Sequence, residues 1–453
     1  MTSASPNPRP RGDREEAPIV GEVALRTWWR VLLVSLAGAW SALVVGPPMT
    51  LAQTSSDTLL VSRRAAVDTA LARNPTLVVA REQIEQARAR VVQATAFPDP
   101  SVSAATTLSG PASSVGTTLG LGLTLPFPQK FHLQGEVSGA DLKAAEFAYL
   151  QLRQQTASQT AQAYDSLLVA LAHRADLTEG RRLAADFLEK TEARFEGGTA
   201  AKLDVLKAKV ELAAAENALI GNQRDIGNAG ANLNRLLGRP LGSTVIASDS
   251  LDVPAELPEL DRLLTRAQTA RPELDGLRSQ QAGARAATTL ASQYWMPDLS
   301  LGVSKNIFPD TPNSYSGSIG FTVPLFFWNH ERGEVAEARH RQRQLDAAYR
   351  DLSAQVDQDV RVSYANAGAA FKQARYLRDE LLPEARRAYE VARISYGLGG
   401  SSALDVLDAR RTLLDAESQY ADALGAANDA RADLERAVGA PLETASSGET
   451  HDR

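Results

Sequence analysis

The sequence predicts a mainly α-helical chain with a β-barrel part, built as two copies of a helical-hairpin unit that each carry a pair of strands. Three observations predict it. Short blocks recur in register about 200 residues apart, three segments alternate between apolar and small or polar residues with a fourth doing so weakly, and long stretches between them lack proline.

The duplication is read block by block. Arg73-Asn74-Pro75-Thr76-Leu77 returns as Ala270-Arg271-Pro272-Glu273-Leu274, Pro98-Asp99-Pro100-Ser101-Val102 as Pro297-Asp298-Leu299-Ser300-Leu301, and Leu123-Thr124-Leu125-Pro126-Phe127 as Phe321-Thr322-Val323-Pro324-Leu325. Leu203-Asp204-Val205-Leu206 returns as Leu404-Asp405-Val406-Leu407, and Leu237-Gly238-Arg239-Pro240 as Val438-Gly439-Ala440-Pro441. The offsets, 197 from Pro75 to Pro272 and 201 from Pro240 to Pro441, hold register across whole halves. A unit this long is a duplicated domain half and not a small solenoid repeat. The expected organisation is an N-terminal extension and signal peptide over 1–52, a first repeat over 53–239, a polar linker over 240–258, a second repeat over 259–441 and a disordered tail over 442–453.

The N-terminus reads as an export signal. Arg26 and Arg30 flank Trp28-Trp29, the apolar run Val31 to Val45 follows, and Thr50-Leu51-Ala52 offers small residues for cleavage before Gln53. The run is broken by Gly38 and Ser41 and is short for a membrane span. Removing residues 1–52 takes away five Arg and four acidic residues, leaving 48−5=43 basic and 54−4=50 acidic, a net charge of −7. An acidic chain does not neutralise phosphates, so no nucleic-acid partner is expected. With no cysteine, disulfides, thiolate metal sites and thiol catalysis are excluded. After residue 53 no apolar stretch reaches the ~20 residues of a membrane helix.

The first strand pair comprises a weakly alternating segment near Ser101 to Leu108 and a strong one in which Leu119, Leu121, Leu123 and Leu125 alternate with Gly120, Gly122 and Thr124. In the second pair Leu299, Leu301 and Val303 alternate with Ser300, Gly302 and Ser304, and Ile319, Phe321 and Val323 with Ser318, Gly320 and Thr322. Turn residues at Ser109-Gly110-Pro111 and Pro309-Asp310-Thr311-Pro312-Asn313 mark the hairpin loops. Apolar side chains on one face with Gly, Ser and Thr on the other are the pattern of a barrel with lipid outside and water inside. Four strands cannot close a barrel and open edges do not survive in lipid, so several chains must contribute.

The remainder reads as helix. From Gln129 to Arg239 there is no proline, which predicts one helix from about Gly135 to Arg194 and another from about Leu203 to Leu237. Sixty residues make a rod of roughly 90 Å. Leu203, Leu206, Val210, Ala213, Asn217 and Ile220 keep the 3-4 spacing of a coiled-coil seam. Gly197-Gly198 and Gly397, Gly399 and Gly400 break the rods at hairpin tips. Pro383 should kink or split the long helix of the second half, and Gly180, at the matching place in the first, predicts a bend there too.

No phosphate-binding loop, dinucleotide fingerprint, zincin pair or nucleophile elbow is present, and His132, His173, His330, His340 and His451 include no close pair. Neither an enzyme nor a cofactor is expected. One polar constellation remains. Asp405 and Asp408 sit three apart on one helical face at the second hairpin tip, and Asp204 sits at the first, where Lys207 takes the place of Asp408. Asp204 reads as a first-turn acid held by exposed amides. The same reading covers Asp405 and Asp408 in a lone chain, but copies around an axis would turn them into stacked carboxylate rings in a channel mouth.

Over about 60 to 441 these residues together resemble the TolC-like outer membrane efflux protein family. The paired blocks, the strand ends Leu125-Pro126-Phe127 and Val323-Pro324-Leu325, and Tyr396-Gly397-Leu398-Gly399 followed by Leu404-Asp405-Val406-Leu407-Asp408-Ala409 carry the resemblance. It implies a homotrimer whose twelve strands form a barrel in the outer membrane lipid, on a long α-helical periplasmic tunnel that narrows at the hairpin tips. It implies as partners a periplasmic adaptor protein and an inner-membrane efflux pump, with the chain as a passive conduit for small molecules, drugs or metal cations. By the same resemblance Asp405 and Asp408 match aspartates ringing the pore gate, and Tyr396 a tyrosine of the gate network. The chain departs from the pattern at Ser401, where an arginine is expected. The alternatives are the outer channel of a type I protein secretion system and a soluble periplasmic coiled-coil scaffold.

Overall fold

Pairs of strands and pairs of helices alternate along the chain, as the duplication requires. The computed structural model describes residues 59–109, 114–254, 256–308, 311–322 and 327–442. Residues 1–58 with the expected signal peptide, residues 110–113 and 309–310 of the expected hairpin loops, residue 255, Val323 with the motif that follows it, and the expected tail from 443 lie outside the described residues. In order the elements are β1 (Leu59–Val61), α1 (Arg63–Arg73), α2 (Pro75–Ala94), β2 (Ser101–Ser109), β3 (Ser114–Leu125), α3 (Pro128–Glu196) and α4 (Lys202–Leu236). The second half follows with β4 (Val245–Ala247), α5 (Leu260–Ala270), α6 (Pro272–Ser292), β5 (Asp298–Phe308), β6 (Thr311–Thr322), α7 (Phe327–Tyr376), a π-helical turn (Leu377–Leu381), α8 (Leu382–Gly397) and α9 (Ala403–Val438). No described helix is long and apolar enough to cross a membrane.

The four alternating segments form one antiparallel sheet in the order β2-β3-β5-β6. Its register aligns the apolar positions of all four strands. Val102 pairs with Leu121 and Leu121 with Val303, Leu123 pairs with Leu301 and Leu301 with Ile319, and Leu125 pairs with Leu299 and Leu299 with Phe321. Rows of Ser101, Gly122, Gly302 and Ser318, and of Ser103, Gly120, Ser304 and Ser316, make the other face. There the glycines serve close approach. A Cβ on Gly120 would meet Ser103 Oγ at 2.6 Å and one on Gly302 would meet Ser318 Oγ at 2.6 Å, so the serine hydroxyls lie over the glycine backbone. The second hairpin is tighter than its turn residues predicted. Thr311, Pro312 and Asn313 belong to β6, and pairing runs out to Phe308 opposite Thr311 across a register shift.

Helix α3 is 69 residues, roughly 100 Å of rod, and begins seven residues before the expected Gly135. Pro128 occupies its first turn, where a missing N–H costs nothing. The two landmarks expected to bend the rods behave differently. At Pro383 the second rod opens into the π-helical turn 377–381, because the proline supplies no N–H and the preceding ladder shifts to compensate. At Gly180 helix α3 runs on unbroken, contrary to the expected matching bend. Gly180 instead makes room for α9, since a Cβ there would lie 2.9 Å from the Leu414 side chain.

The expected coiled-coil seam on α4 is not the face that packs within the chain. Leu203, Leu206, Val210 and Ile220 are exposed, the last at 72%, while Val205 and Ala208 on the adjoining stripe are buried. Small side chains let α4 approach α3 more closely than a leucine ladder would. The linker 240–258 also holds structure that its polarity hid. Its Val245–Ala247 pairs parallel with Leu59–Val61, and Tyr164 Oη donates to Val61 O at 3.0 Å beneath them.

Both repeats close in the same way. Gly238 and Gly439 end α4 and α9 with positive φ, and a Cβ on either would strike the carbonyl of Arg73 or Ala270 within 3 Å. Asn74 Nδ2 donates to Leu236 O at 2.9 Å, and in the second copy Arg271 Nη1 donates to Arg436 O at 3.2 Å. Between the halves, buried Arg410 of α9 donates to Glu211 of α4 at 3.1 Å and to Gly180 O of α3 at 2.8 Å. Burial pulls the Arg410 pKa down against the favourable charge of Glu211. Farther along α3 and α9, away from Arg410, two acids are also desolvated. Asp165 is raised by burial despite its bond to Arg63 at 3.0 Å, and Asp429, with Oδ1 buried and unpartnered, is pushed up to about 6 by burial and then by Asp165 and Asp433.

Four outcomes test this packing. Leu123→Arg and Leu301→Arg place a cation in the middle row of the apolar face and should each cost about 2–4 kcal/mol, read as lost assembly. Gly122→Ser on the opposite face requires Ser101 Oγ, 2.9 Å from the new Cβ, to rotate, and should assemble. Arg410→Ala removes one of the two arginines on the Glu211 carboxylate, which keeps Arg411 at 3.1 Å, and unpairs Gly180 O; it should lower stability by about 1.5–3 kcal/mol in thermal melts, with Arg410→Lys recovering part of it. Asp429 binds its proton more tightly folded than unfolded, so its contribution falls as pH rises from about 4 toward 6. Asp429→Asn should therefore raise the melting temperature at pH 7.5 and lose that advantage near pH 4.

Candidate functional site: the hairpin tips

The turns 197–201 and 397–402 bring the far ends of the two long hairpins together. Each tip reverses through one left-handed glycine, Gly198 at φ 72° and Gly399 at φ 82°. Each is closed by the same backbone bond, Thr199 N to Arg194 O at 2.8 Å and Gly400 N to Ser395 O at 2.8 Å. Helix α9 then starts at Ser402, whose Oγ accepts from Asp405 N at 3.2 Å while Asp405 Oδ2 accepts from Ser402 N at 2.8 Å. This reciprocal pair satisfies two orphan donors of the helix start. Helix α4 starts at Ala201, which has no side-chain acceptor, and Asp204 accepts from Ala201 N at a long 3.4 Å.

Tyr396 is buried at this end, in a cluster with Phe187, Val406, Leu407 and Leu413. Its ring lies 5.5 Å from Phe187, and the Arg194 guanidinium stacks 4.4 Å from its centroid. Arg194 Nη1 also donates to Tyr396 O at 2.9 Å, so one arginine of the first hairpin grips the tyrosine of the second by charge over the ring and by a backbone bond. Arg194 went unnoticed in the sequence because Ser395 and Tyr396 occupy the matching stretch of the other repeat and no motif marks it. Ser401 stays within its own hairpin, donating to Ala392 O at 3.1 Å.

Asp405 and Asp408 are both exposed on the first turns of α9, on one side of the tip. The Asp405 carboxyl is held below the usual aspartate range, first by the Ser402 backbone N–H and then by the Ser402 hydroxyl. It therefore performs the helix-start role that sequence reasoning gave to Asp204, and does so more strongly than Asp204. Of the other expected site residues, Leu119, Leu121, Leu301, Val303, Ile319 and Phe321 are exposed on the apolar sheet face, Leu123, Leu125 and Leu299 are half-buried on it, and Val323 lies outside the described residues. The strand face and the hairpin tips are separate sites at opposite ends of the long helices.

Beside the tip, α3, α8 and α9 leave a cleft of about 850 Å3 whose lining combines charged Arg182, Asp186, Arg386 and Arg393 with apolar Ile394 and Leu398, both exposed. Arg182 and Arg393 are each paired on their own helix, with Glu179 and Glu390. Among the described residues no group of three His, Cys, Asp or Glu side chains could hold a metal ion.

The sequence profile of the family described as "Outer membrane efflux protein" matches residues 66–239 and 263–440, one match per repeat. The cobalt-zinc-cadmium resistance protein CzcC of Cupriavidus metallidurans is 23% identical over 379 residues, 83% of this chain and 89% of that protein. The pyoverdine export outer membrane protein OpmQ of Pseudomonas putida is 28% identical over 258 residues, about half of either chain at 53% and 52%. Among solved structures the outer-membrane channel OprN superposes with a TM-score of 0.71 at 21% identity, covering 83% of this chain and 89% of that one. The four-strand sheet, the paired helical rods and the profile matched in both halves agree, and the chain belongs to the outer membrane efflux protein family.

Proposed function

We propose that three copies of this chain close a twelve-stranded barrel in the outer membrane and that their helices form a periplasmic tunnel gated at the hairpin tips. The observation that carries this reading is the sheet itself. Its register gathers Val102, Leu119 to Leu125, Leu299 to Val303, Ile319 and Phe321 on one face, and β2 and β6 each keep one unpaired edge. Lipid offers no partner to an unpaired backbone group, so β6 of one copy pairs with β2 of the next until the ring closes. The leucine stripe on α4 supports the same assembly, because a lone chain leaves it in water and a neighbouring copy covers it.

Around a threefold axis, Asp405 and Asp408 supply six carboxylates to one constriction, which attracts cations and repels anions. Tyr396, gripped by Arg194, holds the second tip against the first and sets how far the aperture opens. The conduit is passive. A periplasmic adaptor seats on this cleft, whose mix of charged and exposed apolar side chains suits a helical partner, and an inner-membrane pump supplies the energy. The cargo is a small solute, a metal cation or a drug. The similarity along 83% of the chain to a protein named for cobalt, zinc and cadmium resistance supports the cation class, and OpmQ is named for pyoverdine export.

In planar bilayers, Asp405→Ala with Asp408→Ala should abolish cation selectivity and block by multivalent cations while the detergent-solubilised trimer persists. Unchanged selectivity would remove the gate assignment, and a monodisperse monomer with full β signal in the parent would remove the barrel. The Ser402 bonds keep Asp405 ionised below the ordinary aspartate pKa of about 3.9, so selectivity should persist on acidification to that pH. The capping stability of Asp405 is present above that range and is lost as pH falls through the lowered folded value.

A further inference from the structure

The four long strands contain only two charged residues, Asp298 at the first position of β5 and Lys305 seven residues further on. Asp298 is neutralised where strands meet helices, accepting from Lys130 Nζ at 3.1 Å and from Phe127 N at 3.2 Å. Lys305 has no carboxylate beside it in its row. Register places it between Leu119 and Tyr315, with Ala104 beyond Leu119, so this cation stands on the apolar face. The neighbouring Ser304 and Asn306 bond to Ser316, Ser314 and Thr118 on the opposite face, which fixes the alternation at this point. Lys305 Nζ lies 5.6 Å from the centroid of Tyr315, itself 73% exposed.

Depth decides what such a lysine is for. A cation at mid-depth of the lipid face is strongly disfavoured, whereas near the interface it is nearly free. Helices leave one end of the sheet, so the hairpin turns make the other, and Lys305 is three residues from the Phe308 turn. From Asp298 to Lys305, 305−298=7 residues, β5 rises about 24 Å, or roughly 18 Å in height at a ~40° tilt. Exposed Trp295 and Phe97 lie just past the Asp298 end. The apolar rows from Leu299 to Val303 thus lie between an aromatic border at the helix end and the Lys305–Tyr315 row at the turn end, with Ile307 beyond it on that face, the order of a lipid-facing band flanked by interfacial side chains.

We propose that Lys305, with Tyr315 beside it, binds the phosphate of an outer-leaflet lipid headgroup, giving three such sites around the assembled barrel. The inference rests on the barrel reading above. The ammonium donates to phosphate oxygens at headgroup level, its methylene stem lies along the apolar row, and the tyrosine ring occupies the boundary between hydrocarbon and water.

The test adds diphosphorylated lipid A to the detergent-purified full-length assembly and counts bound lipid by native mass spectrometry. The parent should retain the lipid, and K305Q should bind it about fivefold more weakly per site, the factor contributed by one lysine at an anionic surface. K305R should match the parent, dephosphorylated lipid A should bind the parent no better than K305Q binds the intact lipid, and equimolar inorganic phosphate should displace nothing. Equal retention by K305Q and the parent, indifference to the lipid's phosphates, or displacement by inorganic phosphate would overturn the site. The same spectra report trimer mass, so a parent without trimers refutes the barrel reading, whereas intact trimers with unaltered lipid binding refute the headgroup site alone.

Discussion

Every backbone N–H and C=O that enters hydrocarbon must find a partner in protein, and the rest of this molecule is arranged around that demand. Strands β3 and β5 are paired on both sides, while β2 and β6 are paired on one. The missing partners can come only from other copies of the chain. Once copies sit side by side, the helices hung from each sheet are carried around one axis, and their faces acquire an inside and an outside. The exposed leucines of α4 make sense in that setting and are anomalous in a lone chain.

Duplication solved the same packing problem twice with unequal parts. Gly238 and Gly439 are interchangeable because each must turn left-handed directly against a carbonyl of the preceding small helix, and no side chain fits there. Asn74 and Arg271 are different residues performing one task, capturing the end of the long helix that packs beside them. The halves part company along the rods. One is a continuous helix past Gly180, and the other is interrupted by a π-helical turn ahead of Pro383. At the tips, Arg194 has no counterpart in the second repeat and Asp408 none in the first, so the grip on Tyr396 runs in one direction only.

The sequence displayed whatever is periodic. Alternation at Leu119 to Leu125 and Leu299 to Val303 specified strand and face together, since a slip of one residue would turn the leucines into the lumen. Proline-free length specified the rods, and paired glycines specified their ends. What stayed hidden depends on contacts between distant segments. Three-residue strands such as 59–61 and 245–247 carry too few side chains to make a pattern, and their pairing follows from packing over Tyr164. The seam on α4 was visible as spacing, but spacing does not say whether the partner is the next helix or the next chain. The Arg410 to Glu211 pair is separated by 199 residues and has no motif. At the site, the positions of Asp405, Asp408 and Tyr396 were legible, whereas the capping bond that occupies Asp405 and the guanidinium over Tyr396 were not.

The inner face of the sheet has one further consequence. Its rows of glycine, serine, threonine and asparagine present hydroxyls, amides and peptide groups, with no charge between Thr124 and Thr118 on the strand that crosses it. Neutral dipoles that already bond one another, as Ser304 does with Ser316 and Thr118 with Asn306, have little left with which to detain a passing solute. Such a wall behaves as a low-friction sleeve. Under the proposed gating at the hairpin tips, a solute that has passed the carboxylates meets a wall without charge over this stretch, so discrimination between cargoes falls to the tips and not to the barrel.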